Sequence, residues 1–360
     1  MKKRVRIKDI AEKAGVSTGT VDRVIHQRGN VSKEAEERVR RVMEELDYQP
    51  NLIASTLAYN RTYRIATLLP DYRADPYWEQ PRLGIERAFE SVQHYNMLWE
   101  PHYFHLDETG HFIEQARRIL RQPPDGLLFA PVFLQEALWL VEECRAAGIT
   151  TVKINTDIEE DHSLCYVGQD SYQSGVLAGK LLNFFLTASE EVLLLNLDQR
   201  STIAQHLIDK EQGLRDYFAG LPGAAPRVVK WEFAEFDQPS RLRRFLLDIF
   251  EDHPRLKGIF VTNSRAYKIL DCLGADWPAD LRVVGFDLLP PNLRYLEENR
   301  IAFLINQNPV QQGYRGIINL YTHLLRKGEV PSVQYLPLDI VVTENVQYYL
   351  QRQEELEIVV

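Results

Sequence analysis

Apolar residues recur at Ile7, Ile10, Ala11 and Ala14, the three-and-four spacing of a helix with one buried stripe. Gly15 supplies the left-handed turn that ends such a helix, and Ser17 stands where the cap of the next one belongs. The second helix turns Val21, Val24 and Ile25 inward. A third starts at Ser32, buries Ala35, Val39, Val42, Met43 and Leu46, and is broken by Asp47-Tyr48-Gln49-Pro50. Helix, glycine-containing turn, helix is the helix-turn-helix pattern. Asn51 can cap a brief helix to Ala58, too short to be stable alone in water.

From residue 64 the pattern changes to short β-rich runs: Ile65–Leu69, Trp99–His105, Gly126–Ala130, Thr150–Ile154, Val192–Leu195, Val228–Phe233, Gly258–Val261, Val283–Phe286 and Ala302–Ile305. Amphipathic stretches such as Leu83–His94, Phe112–Leu120, Leu134–Ala147 and Tyr172–Leu186 separate most of them. Strand–helix alternation predicts parallel sheets covered on both faces, and two of them account for the length. The expected fold class is α/β: an N-terminal three-helix head plus two parallel α/β subdomains. The expected boundaries are a head over 1–50, a hinge helix and linker over 51–63, and a body over 64–360. Within the body, roughly 64–165 with 290–330 should form one subdomain and 166–289 with 331–360 the other.

Charge sharpens this division. Residues 1–61 carry 13 Lys/Arg against 9 Asp/Glu, whereas the other residues carry 29 against 42. A basic head on an acidic body suggests that only the head meets a polyanion. No apolar run approaches the roughly 20 residues needed to span a bilayer, so no membrane partner is expected. The basic start Met1-Lys2-Lys3-Arg4-Val5-Arg6 lacks the apolar core of a secretory signal, so the expected location is the cytoplasm. Cys144, Cys165 and Cys272 are too few and too scattered for a disulfide framework or a closed zinc site, and read as buried thiols. His94, His102, His105 and His111 cluster in sequence, but strand spacing splits them between faces, and no metal site is expected. The chain has no G-x-G-x-x-G after a strand, no Walker lysine, no G-x-S-x-G elbow and no His-Glu-x-x-His. Neither catalytic residues nor a cofactor are therefore expected.

The head carries a specific resemblance. Ile7-Lys8-Asp9-Ile10-Ala11 through Ala14-Gly15-Val16-Ser17, Thr20-Val21-Asp22-Arg23-Val24-Ile25, and Val31-Ser32 to Leu46-Asp47-Tyr48-Gln49-Pro50-Asn51 resemble the DNA-binding head of the lactose-repressor family. The resemblance implies that the second helix enters the major groove N-terminus first, with Thr18, Gly19 and Arg23 at the base edges. Arg23 can fork onto guanine O6 and N7, while Gly19 offers no side chain. Ser17, Thr20 and the arm from Lys2 to Arg6 become candidates for phosphate contacts. The family usually has serine at the position of Asp22. A carboxylate is repelled by phosphate, so Asp22 is expected to accept from a cytosine amino group or to bond His26. The hinge of the family folds on operator DNA and wedges a leucine into the minor groove. Leu57, within Ala54-Ser55-Thr56-Leu57, matches it, and the basic residues usual around that leucine are replaced by Ser55 and Ala58.

The body resembles the sugar-binding domains of periplasmic ribose-binding proteins and of the repressors themselves. Asp75-Pro76-Tyr77-Trp78, Tyr166-Val167-Gly168-Gln169-Asp170, Gly285-Phe286-Asp287, Ile305-Asn306-Gln307-Asn308-Pro309 with Gln312-Gly313-Tyr314, and Thr343-Glu344-Asn345 carry it. The resemblance implies a ligand cleft lined by Asp75, Tyr77, Trp78, Asn155, Asp170, Lys210, Asn263, Asp287 and Gln307. Aromatic faces against sugar C–H groups and forked polar side chains on hydroxyls suit a polyol. Two positions depart from the family. Lys210 stands where many relatives have an arginine, and Asn155-Thr156 where Asp-Arg is frequent. The implied function is a sequence-specific transcriptional regulator, a homodimer on double-stranded operator DNA, controlled by a small effector of saccharide type. The alternatives are an α/β enzyme fused to a regulatory head and a regulator controlled by a partner protein.

Overall fold

The computed structural model describes residues 5–25, 29, 31–46, 48, 61–158, 161–198 and 205–351. The expected hinge with Ala54 and Leu57, the arm residues Lys2 to Arg4, and His26 lie outside the described residues. The chain divides into two units, Met1–Thr62 with His94–Asn96, and Tyr63–Gln93 with Met97–Val360.

The first unit holds α1 (Ile7–Ala14), α2 (Thr18–Ile25) and α3 (Lys33–Glu45). Ile10, Ala11, Ala14, Val21, Val24, Val39 and Val42 form its core, with Ile25, Met43 and Leu46 half-buried against it. Gly15 sits at φ 64°, ψ 39°, a left-handed conformation that costs other residues more.

The second unit contains two lobes, each built on a six-stranded sheet. The first lobe starts with β1 (Tyr63–Pro70), β2 (Met97–Phe104), β3 (Gly126–Phe129), β4 (Thr150–Ile154) and β5 (Cys165–Gly168). Between them run α4 (Glu79–Ser91), α5 (Thr109–Arg121) and α6 (Leu134–Ala146). The chain crosses into the second lobe as α7 (Ser171–Asn183), β6 (Glu191–Asn196), α8 (Gln205–Ala219), β7 (Arg227–Glu232) and α9 (Pro239–Asp252). It continues there as β8 (Leu256–Val261), α10 (Ala266–Leu273), β9 (Arg282–Phe286), α11 (Pro290–Glu297) and β10 (Phe303–Asn306). It returns to the first lobe as α12 (Pro309–Leu324) and β11 (Val333–Tyr335), then crosses a third time as β12 (Asp339–Val341). The sheet orders are β11-β5-β4-β3-β1-β2 and β12-β10-β9-β8-β6-β7. All pairings are parallel except β10 with β12. The inner strands β3, β5 and β6 are buried along their whole length, as sheets covered on both faces require.

The nine expected runs all fall on strands, but three strands were not anticipated. β5 is a short run ahead of a helix, and β11 and β12 have three residues each, too few to show a pattern. The subdomain boundaries also need correction. Residues 290–306 belong to the second lobe through α11 and β10, and β11 belongs to the first. Pairing partners decide membership there, and short edge strands do not announce their partners.

Each lobe brings two helices into backbone contact beside the cleft. In the second, α7 and α8 cross at Gly175 and Gly213. A Cβ on Gly213 would lie 2.0 Å from the Tyr172 carbonyl oxygen, and one on Gly175 2.1 Å from that of Lys210. Only glycine permits this approach, and it fixes the start of α8, which carries Lys210, against the first crossing. Cys144 and Cys165 are buried and Cys272 partly so. Burial pushes their thiols up to about 12, about 11 and about 11, which makes them poor nucleophiles. Among the described residues no helix is long and apolar enough to cross a membrane.

Candidate functional site

In the head, Ser17 caps α2. Its Oγ accepts from the Thr20 amide at 3.1 Å and lies 2.9 Å from the Thr20 hydroxyl. That pairing ties the two candidate phosphate contacts together at the helix N-terminus, where backbone amides favour an anion. Thr18, Gly19 and Arg23 are exposed, and Gly19 and Arg23 stand one turn apart on α2. A Cβ at Gly19 would meet nothing closer than the Ser17 Oγ at 3.7 Å, so the fold does not demand glycine there. Asp22 is half-buried and has an interaction within the protein.

In the body, a cleft of about 270 Å³ opens between the carboxyl ends of the two sheets. Asp75, Tyr77, Trp78, Asn155, Lys210, Asn263 and Gln307 line it. Asp170 does not; it caps α7, its Oδ1 accepting from the Gln173 amide at 2.9 Å. The chain leaves β5 there with its amides pointing at the side chain, so the carboxylate serves the helix. Asp287 lies one layer behind the wall. It is 1% exposed and holds Gln307, accepting from its Nε2 at 2.6 Å and its amide at 3.4 Å.

The aromatic pair is also more enclosed than expected. Tyr77 and Trp78 are each 5% exposed and meet edge to face, centroids 5.1 Å apart. The Tyr77 hydroxyl accepts from Asn155 Nδ2 at 2.8 Å. Their faces belong to the first lobe's core, and they wall the cleft without presenting the open platform that the sequence suggested.

Several cleft residues escaped sequence reasoning. Arg265 and Lys268 enter from the segment after β8, beside Tyr267 and Phe236. Asn263 was anticipated, and Arg265 two residues on was the available signal. Gln169, 2% exposed, donates from Nε2 to Gln307 Oε1 at 2.8 Å, while its own Oε1 is buried without a partner. Asp287 thereby orients both amides in turn. The Thr156 hydroxyl lies 3.1 Å from His206 Nδ1, joining the two lobes.

Asn155 in the wall, at φ 71°, and Asp287 behind it, at φ 63°, are left-handed one residue past the ends of β4 and β9. Asn and Asp tolerate that region best, and such strain gathers at binding sites. Lys210 is 2% exposed and donates to the Thr262 carbonyl at 2.7 Å, its ammonium 3.9 Å from the centre of the Phe286 ring. Burial lowers its ammonium to about 7, partly countered by the Asp287 charge. Burial likewise raises the Asp287 carboxyl to about 7, tempered by the hydrogen bonds from Gln307.

Comparison with known proteins places this architecture. Residues 65–328 match the periplasmic binding protein domain, and residues 6–51 match the bacterial regulatory proteins of the lacI family. DegA, an HTH-type transcriptional regulator of Bacillus subtilis, is 30% identical over 79% of this chain and 82% of its own. The chain belongs to the LacI family of bacterial regulatory proteins. The ribose operon repressor of Halalkalibacterium halodurans is 28% identical over 79% of this chain and 80% of its own. A crystal structure of a putative LacI transcriptional regulator from Bacteroides fragilis superposes with TM-score 0.72. It is 27% identical and covers 80% of this chain and 100% of that one. This LacI-family member is thus a ligand-controlled DNA-binding transcriptional regulator and not an enzyme.

Two predictions follow from the geometry of the LacI-family head and cleft. Arg23→Ala costs about 1–3 kcal/mol on the site that the unmutated protein selects from a randomised pool, and leaves binding to unrelated DNA nearly unchanged. Fluorescence anisotropy on both DNAs measures it; equal losses on the two would remove Arg23 from base reading. The second concerns Asp287, whose folded carboxyl titrates near 7 against about 4 when unfolded. The folded state therefore binds more protons across that window, and stability falls as pH rises through it. Lys210 stays charged in both states over most of the window. Urea unfolding at pH 4.5 to 7 (roughly the window set by the two carboxyl values) shows wild type losing stability relative to Asp287→Asn. A flat difference contradicts this.

Proposed function

We propose that this regulator works as a homodimer in the cytoplasm, its two heads gripping a pseudo-palindromic operator. A saccharide binds between the lobes and alters operator affinity. The observation that carries this reading is the cleft itself. Carboxylate, amide and guanidinium side chains from both lobes converge on one space at the strand carboxyl ends, where open α/β sheets take ligands. Each of those groups can fork onto adjacent hydroxyls, and Tyr267 adds an aromatic wall. The relationship to a ribose operon repressor supports the saccharide class. A ligand that touches both lobes favours one angle between them, and the operator affinity then shifts by about 1–3 kcal/mol.

A thermal-shift screen of the full-length protein against monosaccharides, oligosaccharides and sugar phosphates tests the effector class. A binder at 100 times its dissociation constant adds about 2.7 kcal/mol. A saccharide that raises the melting temperature with wild type and not with Asn263→Ala supports the reading. Unchanged melting across the panel removes the saccharide and leaves the head's assignment intact.

A further inference from the structure

Lys210 cannot supply the two-pronged bond of an arginine, and its ammonium is committed to the Thr262 carbonyl and the face of Phe286. Arg265 brings a guanidinium to the same cleft from another element. Its amide donates to Asn263 Oδ1 at 3.2 Å and its Nη1 to the Leu197 carbonyl at 2.9 Å. The guanidinium lies 4.8 Å from the centre of the Phe236 ring. All of these anchors belong to the second lobe. The remaining edge, Nη2, pairs with Asp75 Oδ2, and Asp75 belongs to the first lobe, where it also caps Tyr77. The two side chains are 15% and 13% exposed, so solvent screens this pair far less than a surface one. Two groups suited to forking onto adjacent hydroxyls are thus spent on each other across the cleft.

We propose that Arg265 is the specificity-determining guanidinium of the effector cleft, and that its ion pair with Asp75 is the contact an effector must open. An effector then binds by inserting adjacent hydroxyls between the two. A hydroxyl both accepts from Arg265 and donates to Asp75, so a diol keeps each charge satisfied as the direct contact opens. A ligand that reaches only one partner leaves the other charge poorly solvated and is rejected. This selects for polyhydroxylated molecules and rests on the reading of the cleft as the effector site.

The test has one arm that needs no effector. Spin labels on Glu114→Cys in α5 and Asp248→Cys in α9, in a full-length Cys272→Ser background diluted with unlabelled protein, report the distance between the lobes. The ion pair predicts one compact population without sugar. Arg265→Ala adds a longer-distance population, and Arg265→Lys, which keeps the charge and guards against misfolding, adds less of it. The same distribution in all three overturns the proposal. In the second arm, D-ribose and D-galactose are titrated by calorimetry. Whichever binds loses at least tenfold in affinity with Arg265→Ala, and equal affinity overturns the proposal. Failure of both sugars to bind the unmutated protein sinks those sugars as effectors, while the distances still decide whether Arg265 and Asp75 hold the lobes together.

Discussion

Three backbone crossings at the carboxyl ends of two sheets constrain everything else in the body. The chain passes from β5 to α7, from β10 to α12, and from β11 to β12, and the first two passages put Gln169 and Gln307 in the cleft. Two of the three described links between the lobes therefore run through the cleft, and a change in the lobes' angle bears on it. Gln169 and Gln307, bonded to each other, stand on the first two passages, and Asp287 holds Gln307 from behind. The cleft lining and the links between the lobes consequently share the same residues.

Buried charge is the cost of that arrangement. Lys210 in the cleft wall and Asp287 behind it are both buried, and burial drives both toward neutrality. Asn155 and Asp287 hold left-handed backbone just past their strands. Each feature lowers stability locally, and each places a polar side chain where the two lobes meet. Close glycine-mediated approaches, Gly175 against Lys210 and Gly213 against Tyr172, hold α7 and α8 together in the same lobe.

Much of this was legible in the chain. Periodicity located the three head helices and nine of the strands, because long amphipathic or continuously apolar segments must bury a defined face. The short strands β11 and β12 were not, since their pairing depends on distant segments and not on local pattern. Seven of the nine expected cleft residues line the cleft, because motifs at strand ends fix position closely. Asp170 and Asp287 differ for a local reason: one is taken by a helix terminus, the other by a glutamine in front of it. Arg265 went unread because its role depends on Asp75, which is 190 positions away in the chain.

The account stands or falls on reciprocity between cleft and head. If one equilibrium joins them, the effector changes operator affinity by some factor and the operator changes effector affinity by the same factor. The direct measurement is calorimetric titration of a sugar identified by thermal shift, with and without saturating operator, beside anisotropy titrations of operator with and without that sugar. The account predicts equal factors, on the order of 5- to 150-fold, from the two directions. Sugar affinity that ignores the operator, with operator affinity that ignores the sugar, would contradict it.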